Sequence, residues 1–457
     1  MDPSVASTSR FGGFYRLLAF IQMNELWSSG MSPAKGVLME SVPALSLAER
    51  DRRWGLAREL MRRTGVDALI VYGDREAGAP AAFNVDGYFT NDRLGSIVLF
   101  VRDEAPAVLT FASMMIADHL QARYRGDTQW IEPDQIFVGK TGSHLAAALK
   151  HRGVSSGPVG VLGLEPYPPF YFDGAIPFRT LHAVTEALPD ISLVPVYRQF
   201  FELASVRSEE ELRLVRHAAG IGERMCDAMR AEARPGATEA DLVAAAVSTC
   251  LRDGGYTAEV LIGSGPEHIG WGPAAWNYRA QPPRVLEEGD VVLAEVFSLF
   301  GLFETQHQPM IAIGEPHPEF LRAAAVARAS YEAGVGALRA GNTFGDVVDA
   351  MEAPLLEAQG WHVHPLIHSI NPYGPIGFGT APGIEVFADA AGYGDCGRLP
   401  TVGREVELKE SMSFAFEPNC GFGRRLANLG GTVLVGTDRG LELNGNSTRL
   451  MWADDIG

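Results

Sequence analysis

Cysteine is scarce in this chain. Four are present among 457 residues, and no pair of them has the spacing of a Cys-x-x-Cys motif. A zinc knuckle or a disulfide framework requires closely spaced or paired cysteines, so neither is predicted. A reducing compartment suits such a chain, and we expect a cytoplasmic location. The four residues are Cys226, Cys250, Cys396 and Cys420.

Long apolar runs are also missing. No stretch approaches the roughly 18 apolar residues of a membrane span, so no membrane partner is expected. The nearest run, residues 11–23, contains an Arg and a Gln and lacks a small-residue cleavage site, which argues against a secretory signal. We expect residues 1–45 to be a disordered leader, or translation to start at Met31 or Met39.

Basic residues are outnumbered. The 38 Lys and Arg stand against 56 Asp and Glu, which makes the formal net charge −18. Binding of nucleic-acid phosphates needs clustered Lys and Arg, so no nucleic-acid partner is predicted. With 46% hydrophobic and 21% charged residues, the chain has the composition of a globular protein of two or three domains.

Residues 46–203 are predicted to form an α/β domain. A capping box of Ser46 and Glu49 indicates a helix that begins there. Short segments rich in β-branched residues follow and alternate with helical segments, which is typical of an α/β layer. The predicted strands are residues 67–72, 96–101, 107–111 and 159–164.

Residues 204–457 are predicted to form an α+β domain with an internal pseudo-twofold. Its first helix begins at a capping box of Ser208 and Glu211. Two later segments, 234–242 and 339–347, each place a Gly before a Thr N-cap and an Asp three residues after that Thr. This duplication predicts two related halves that face each other across a cleft, and such a cleft commonly holds a small ligand.

Residues 288–310 are predicted to form a hairpin that carries polar side chains into an apolar setting. Asp290 closes a turn before an apolar strand, and Gly301 separates that strand from a second one. Chemistry is usually found where polar groups are held on rigid, buried backbone. The polar side chains in question are Glu295, Glu304, Thr305, Gln306 and His307.

The hairpin and two later segments together resemble the pita-bread family. The pattern is a Gly-Asp before an apolar strand, an acid five residues later, a Gly turn, two His four residues apart and a late Glu-Pro. Here it is carried by Asp290, Glu295, Gly301, His364, His368 and Glu417-Pro418. The resemblance extends from residue 47 to the end, is to the aminopeptidase P, prolidase and creatinase branch, and implies a homodimer that acts on a small molecule.

Metal-dependent members of that family hold two divalent ions through two Asp, one His and two Glu. The resemblance places Glu295, His368 and Glu417 at three of these positions. The second Asp position holds a neutral residue, Thr305 or Gln306, and the last Glu position falls in a Leu-Gly-Gly segment without an acid. We therefore predict a degenerate metal centre and favour no cofactor.

Creatinase, a metal-free member of the family, hydrolyses a C–N bond with His and Glu side chains. By this resemblance we predict hydrolysis of a C–N bond in a small amino-acid-like substrate. A His exchanges protons near neutral pH, and a neighbouring carboxylate orients its ring. The predicted catalytic residues are His307, His364, His368, Glu295 and Glu417. His307 or His368 would take a proton from water, and His362 is expected to point away from His364.

Four further residues are predicted to contact the substrate. His268 or Trp271 takes the place of a substrate-contacting His of the relatives, and Tyr373 lies in a loop rich in Gly and Pro. Arg93, in a predicted loop over residues 87–94, would hold a substrate carboxylate in the partner subunit's active site. The alternative is that Arg93 is an ordinary solvated arginine.

Three other functions remain open. An intact dinuclear site would make the chain a metal-dependent Xaa-Pro aminopeptidase or dipeptidase. A single Zn, Mn or Fe ion held by Glu295, His307, His368 and Glu417 would suit a hydrolase or a lyase of the same fold. A chain without activity would be a non-catalytic binding homologue.

Overall fold

A computed structural model describes residues 42–74, 84–166, 173–267, 270–370, 377–380 and 400–453. His268 and Tyr373, which were predicted to contact the substrate, lie outside these ranges. The expected leader lies outside them up to residue 41. Among the described residues, no helix combines the length and the apolar character needed to cross a membrane.

A six-stranded mixed sheet organises the N-terminal part. Its strands are β1 (Ala68–Tyr72), β2 (Ile97–Val101), β3 (Ala107–Thr110), β4 (Ile136–Val138), β5 (Ser156–Leu162) and β6 (Asp190–Pro195). Their order is β4-β3-β2-β1-β5-β6. The apolar strands β1 to β3 are buried along their whole length, so the sheet is covered on both faces. The predicted α/β layer is confirmed.

The helices of this part surround the sheet. They are α1 (Leu47–Thr64), α2 (Val85–Thr90), α3 (Ser113–Arg125), α4 (Gly142–His151), α5 (Phe178–Ala187) and α6 (Tyr197–Ala204). Helix α2 corrects the prediction of a loop over residues 87–94. It forms because Tyr88 and Phe89 are fully buried aromatic side chains, and only the residues after Asn91 run as a loop.

A second, curled sheet occupies the C-terminal part. Its main path runs in the order β13-β12-β14-β17-β10-β9-β11-β19, with β7, β8 and β18 attached at the side and β15-β16 as a separate ribbon. The long strand β9 forms the predicted hairpin with β10, and Gly301 turns between them with φ of +55°. The strands are β7 (Val260–Gly265), β8 (Gly272–Pro273), β9 (Val291–Phe300), β10 (Phe303–Gln308), β11 (Met310–Ala312), β12 (Ile367–Ser369), β13 (Phe378–Gly379), β14 (Ser413–Phe416), β15 (Asn419–Phe422), β16 (Arg425–Asn428), β17 (Gly430–Leu434), β18 (Leu441–Glu442) and β19 (Leu450–Trp452).

Two helix pairs accompany this sheet: α7 (Glu209–Glu232) with α8 (Glu239–Arg252), and α9 (Pro318–Ala337) with α10 (Phe344–Ala358). The second helix of each pair begins at a Thr capping box, Thr238 with Asp241 and Thr343 with Asp346. Each Thr also forms an isolated β-bridge to the segment that leads into a strand of the sheet. The predicted duplication is therefore present in the backbone structure as well as in the amino-acid sequence.

The start of α1 differs from its prediction in one respect. Ser46 Oγ accepts from the N–H of Glu49 at 3.2 Å, as an N-cap does. The Glu49 carboxylate does not return to Ser46, however, because it accepts from Arg52 and Arg53 of the next turn. The N–H of Ser46 donates instead to Glu210 of α7 at 2.8 Å.

A buried ion cluster joins α1 to α7. The guanidinium of Arg53, 1% exposed, lies 2.8 Å from Glu49 and 3.2 Å from Glu211 of α7. It also donates to the carbonyl of Tyr88 at 2.9 Å and lies over the Tyr88 ring. Because buried charges are stable only when paired, this cluster ties the start of the first helix to the C-terminal part.

We expect the folded protein to lose stability on acidification through Glu49. Burial raises the pKa of Glu49, but the hydrogen bonds and charges of Arg52 and Arg53 outweigh it and lower that pKa from 4.5 to about 2. The contribution of Glu49 to the free energy of unfolding is therefore complete above pH 4.5. It is lost as the pH falls toward 2, at up to about 1.4 kcal/mol per pH unit. Urea unfolding at several pH values measures it, and the Glu49→Gln variant should show a flatter profile in this window.

Candidate active site

Strand β10 presents different side chains on its two faces. Gln306 lies on the same face of the curled sheet as His368 of β12, and its Oε1 is 3.1 Å from His368 Nε2. Thr305 and His307 lie on the other face, against α7, because side chains alternate along a strand. The Gln306 face carries the candidate site.

The centre of this face is a pair formed by His368 and Glu417. Strands β12 and β14 are antiparallel neighbours with His368 opposite Ala415, which brings the two side chains together. His368 Nε2 lies 2.9 Å from Glu417 Oε1. Glu417 is almost fully buried, so water screens this contact weakly.

The contacts of His368 favour a protonated ring. Its Nδ1 meets the carbonyl of Ser369 at 2.7 Å, and its Nε2 meets the oxygens of Glu417 and Gln306. All three partners are acceptors, so both ring nitrogens act as donors, as they do in an imidazolium. Burial alone would lower the pKa of His368, but the charge and hydrogen bond of Glu417 outweigh it and raise that pKa. His368 is thus predisposed to donate a proton.

The orientation of Gln306 is set by Glu304. Gln306 Nε2 donates to Glu304 Oε1 at 2.6 Å, and both side chains are buried. The amide nitrogen is therefore committed to Glu304, which leaves the amide oxygen to face His368. A second amide, Gln308, donates to Glu417 Oε1 at 3.3 Å.

Glu295 completes the site as a carboxyl group that favours its neutral form. Its Oε2 accepts from Trp271 Nε1 at 3.2 Å. Burial, followed by the negative charge of Glu417, raises the pKa of Glu295 well above its usual value, and the Trp271 bond only partly offsets this. Glu295 therefore favours its protonated form next to Glu417.

Of the five predicted catalytic residues, the structure brings together Glu295, His368 and Glu417. His307 is not with them, which corrects the predicted cluster. Its Nδ1 accepts from Asn444 at 2.8 Å, and a Cβ placed on Gly222 of α7 would come within 1.8 Å of its Nε2. Burial lowers the pKa of His307 to about 3, so the ring stays neutral.

The length of the hairpin turn in the sequence indicates on which face of the sheet His307 lies. Two residues, Gly301 and Leu302, connect the strands, so Phe303 is opposite Phe300 and His307 is opposite Val296. Directly opposite residues share one face of a sheet. His307 therefore lies on the apolar face of Val296 and away from Glu295.

His364 lies just before β12, and its pKa is lowered by burial. Its Nδ1 is buried and makes no hydrogen bond with any residue that the structure describes. The expectation that His362 points the opposite way was wrong, since the two ring centroids are 6.0 Å apart. Residues two apart in an extended segment lie on the same side of the backbone, so alternation itself places His362 and His364 together.

Two of the predicted substrate contacts can be placed. Trp271 lies at the site through its bond to Glu295. Arg93 follows α2 in the N-terminal part, and its guanidinium holds Asp118 through both carboxylate oxygens at 2.8 and 2.7 Å. Its predicted role in a partner subunit stays a prediction.

Comparison with known proteins now places the C-terminal part. Residues 213–437 match metallopeptidase family M24. The chain is 25% identical over 288 residues to the probable dipeptidase PepE of Mycobacterium tuberculosis H37Rv, an overlap of 59% of this chain and 69% of that protein. The crystal structure of dipeptidase PepE from Mycobacterium ulcerans superimposes with a TM-score of 0.63 at 20% identity, covering 90% of this chain and 99% of that one.

Two further solved structures share the fold. The X-Pro aminopeptidase of Thermotoga maritima has a TM-score of 0.63 at 17% identity and covers 87% of this chain and 98% of its own. The prolidase of Pyrococcus furiosus has a TM-score of 0.60 at 15% identity and covers 85% and 99%. Residues 213–437, called the M24 domain below, match that family and have the pita-bread fold. The predicted fold class is confirmed.

The M24 domain of this chain does not suit a pair of metal ions. The geometry assigns the second Asp position to Gln306, because Thr305 faces away and bonds Ser298. A neutral amide there removes one of the charges that would balance two dications. Among the residues that the structure describes, no three His, Cys, Asp or Glu side chains are grouped to hold a metal ion.

Two of the three positions where the last Glu is expected, Gly430 and Gly431, have no room for a longer side chain. A Cβ on Gly430 would lie 1.9 Å from the carbonyl oxygen of Phe416, and a Cβ on Gly431 would lie 2.7 Å from Asn444 Oδ1. The predicted single-metal set is not assembled either, because His307 lies on the other face of β10 from Gln306, His368 and Glu417. Neither metal arrangement is built from the described side chains.

Proposed function

We propose that the M24 domain hydrolyses a C–N bond in a small amino-acid-like substrate through acid–base chemistry of His368 and Glu417, without a dinuclear metal centre. The observation that carries this proposal is the placement of His368 Nε2 between Glu417 Oε1 at 2.9 Å and Gln306 Oε1 at 3.1 Å. A proton donor and a proton acceptor are thereby held in contact within one buried site. The names of the relatives, a dipeptidase, an aminopeptidase and a prolidase, support cleavage of a C–N bond.

The proposed reaction uses the two groups in complementary roles. Water adds to the substrate carbonyl carbon while Glu417 takes one of its protons. His368 gives its Nε2 proton to the leaving nitrogen, and the C–N bond breaks. The proton on Glu417 then returns to His368 across their 2.9 Å contact, which restores the starting state. This assigns to His368 the role of acid, whereas the sequence alone suggested that it would act as a base.

The surrounding side chains support these roles. Glu295, neutral because its pKa is raised, would donate a hydrogen bond to the oxyanion that forms on the carbonyl. Glu304 is a positioning residue, because its bond to Gln306 keeps an acceptor facing His368. His364, four residues before His368, is kept in the proposal as a further group that would contact the leaving nitrogen.

A metal-dependent dipeptidase is the second candidate. The match to a metallopeptidase family and the likeness to probable dipeptidase PepE favour it. A lyase or a non-catalytic homologue of the same fold would be revealed by the products or by their absence. We also propose that the protein is a cytoplasmic homodimer and that its substrate is a small molecule.

Metal analysis combined with a substrate screen tests the proposal. The protein is incubated with Mn²⁺, Zn²⁺ or Co²⁺, desalted, and analysed by mass spectrometry for bound metal. Small amidino, ureido and N-methyl amino acids and Xaa-Pro dipeptides are then offered with and without EDTA. We expect substoichiometric metal and turnover of a small C–N substrate that EDTA leaves unchanged.

The Gln306→Asp variant is the matched comparison, since it adds one carboxylate at the same place and should bind more metal than the wild type. Two metal ions per chain in the wild type, with activity that EDTA abolishes, would establish the dipeptidase candidate and overturn the proposal.

A further inference from the structure

A groove separate from the catalytic pair lies between α8 and the segment that follows β8. It encloses about 440 Å³. Val260, at the start of β7, forms part of its lining and is paired with Val296 of β9. Paired residues share one face of a sheet, and Glu295 is on the opposite face from Val296. The groove and the catalytic pair are therefore on different sides of this sheet.

The groove is lined by apolar and aromatic side chains. Val243 and Val247 of α8 form one wall, and Trp276 and Tyr278 form the other. Trp276 is partly buried against the core that α8 covers, whereas Tyr278 is 73% exposed. Aromatic side chains at an open groove offer ring faces that carry partial negative charge.

A carboxylate stands among these rings. Glu259 lines the groove and accepts a hydrogen bond from the Tyr278 hydroxyl at 3.4 Å. No Lys or Arg within the described parts of the chain pairs with it, whereas many other surface acids in those parts have such a partner. Burial raises the pKa of Glu259, and the Tyr278 bond partly offsets this. The carboxylate is therefore partly buried and has no Lys or Arg counter-charge among the described residues.

We propose that this groove binds a small organic ammonium ion. The ammonium would meet the charge of Glu259 and the ring faces of Trp276 and Tyr278, which attract cations. A short alkyl tail would lie against Val243 and Val247, where it displaces water from apolar surface. A carboxylate or phosphate ligand is disfavoured, because Glu259 would repel it.

The probe is n-butylammonium, with 1-butanol as the uncharged molecule of the same tail. Binding is followed by fluorine NMR of protein that contains 5-fluorotryptophan, with the Trp276 signal identified from the Trp276→Phe variant. We expect n-butylammonium to shift the Trp276 signal and 1-butanol to leave it unchanged at the same concentration. Tetramethylammonium, which has no tail, should bind more weakly than n-butylammonium.

The decisive variant is Glu259→Gln, which should weaken n-butylammonium binding by about three- to tenfold. Glu357→Gln removes the same charge from an exposed site on α10 and should leave binding unchanged. Glu417→Gln should also leave it unchanged, so failure of the proposed catalysis would not affect this result. Equal binding of n-butylammonium and 1-butanol, or an unaltered affinity in Glu259→Gln, would overturn the assignment.

Discussion

The Glu417→Gln variant is expected to lower kcat/KM for a C–N substrate by about 10²- to 10⁴-fold. The amide keeps the size of the side chain but cannot take a proton from water. It also removes the negative charge that raises the pKa of His368 through their 2.9 Å contact. Steady-state kinetics on the substrate found in the screen measures the loss.

A titration of the His368 ring by NMR separates this effect from simple damage to the site. Because the pKa of His368 is raised in the wild type, its acidic form persists to higher pH and is lost as the pH rises through that value. In Glu417→Gln the same loss should occur at lower pH. The control Glu410→Gln removes a carboxylate from the exposed turn before β14 and should change neither measurement. Full activity in Glu417→Gln would exclude the acid–base pair.

The Arg53→Met variant is expected to destabilise the protein by about 3 kcal/mol, the lower end of the cost of breaking a buried ion pair. Methionine fills part of the volume but removes the buried cation that lies 2.8 Å from Glu49 and 3.2 Å from Glu211. Arg52 stays paired with both carboxylates, at 2.7 and 2.8 Å, which limits the loss. The bond to the carbonyl of Tyr88 is lost as well. Urea unfolding at neutral pH, followed by circular dichroism, measures the change.

Arg63→Met is the matched control on the same helix. Arg63 pairs with Glu59 in solvent and is 55% exposed, so its loss should cost less than about 1 kcal/mol. If Arg53→Met cost no more than this control, the ion cluster would not be what joins α1 to α7.

The helix starts show how far local chemistry leads. The capping box at Ser208 and the Thr N-caps at Thr238 and Thr343 were predicted from residues three positions apart, and all three form capping boxes. Such bonds close within one turn of helix and need no knowledge of the rest of the chain. At Ser46 the same pattern was only half realised, because two arginines of the next turn bind the Glu49 carboxylate instead.

The candidate site was predicted less completely. Its hairpin was predicted from an apolar run, a glycine and a second run. Glu295, His368 and Glu417 were predicted from the resemblance to the pita-bread family. Glu304 and Gln308 were not assigned to the site, because a buried glutamate or glutamine is recognised as functional only when its partner is known. His307 was assigned to it on residue type, although its place opposite Val296 faces it away.

The sequence by itself determined where several helices begin and where the hairpin turns, since each depends on residue type or on neighbours a few positions apart. Only the tertiary structure decided which groups share a proton. Glu304 with Gln306 comes from one strand, but His368 and Glu417 are 49 residues apart and meet because β12 pairs with β14. Protonation depends on distance and burial, and both are properties of the packed chain.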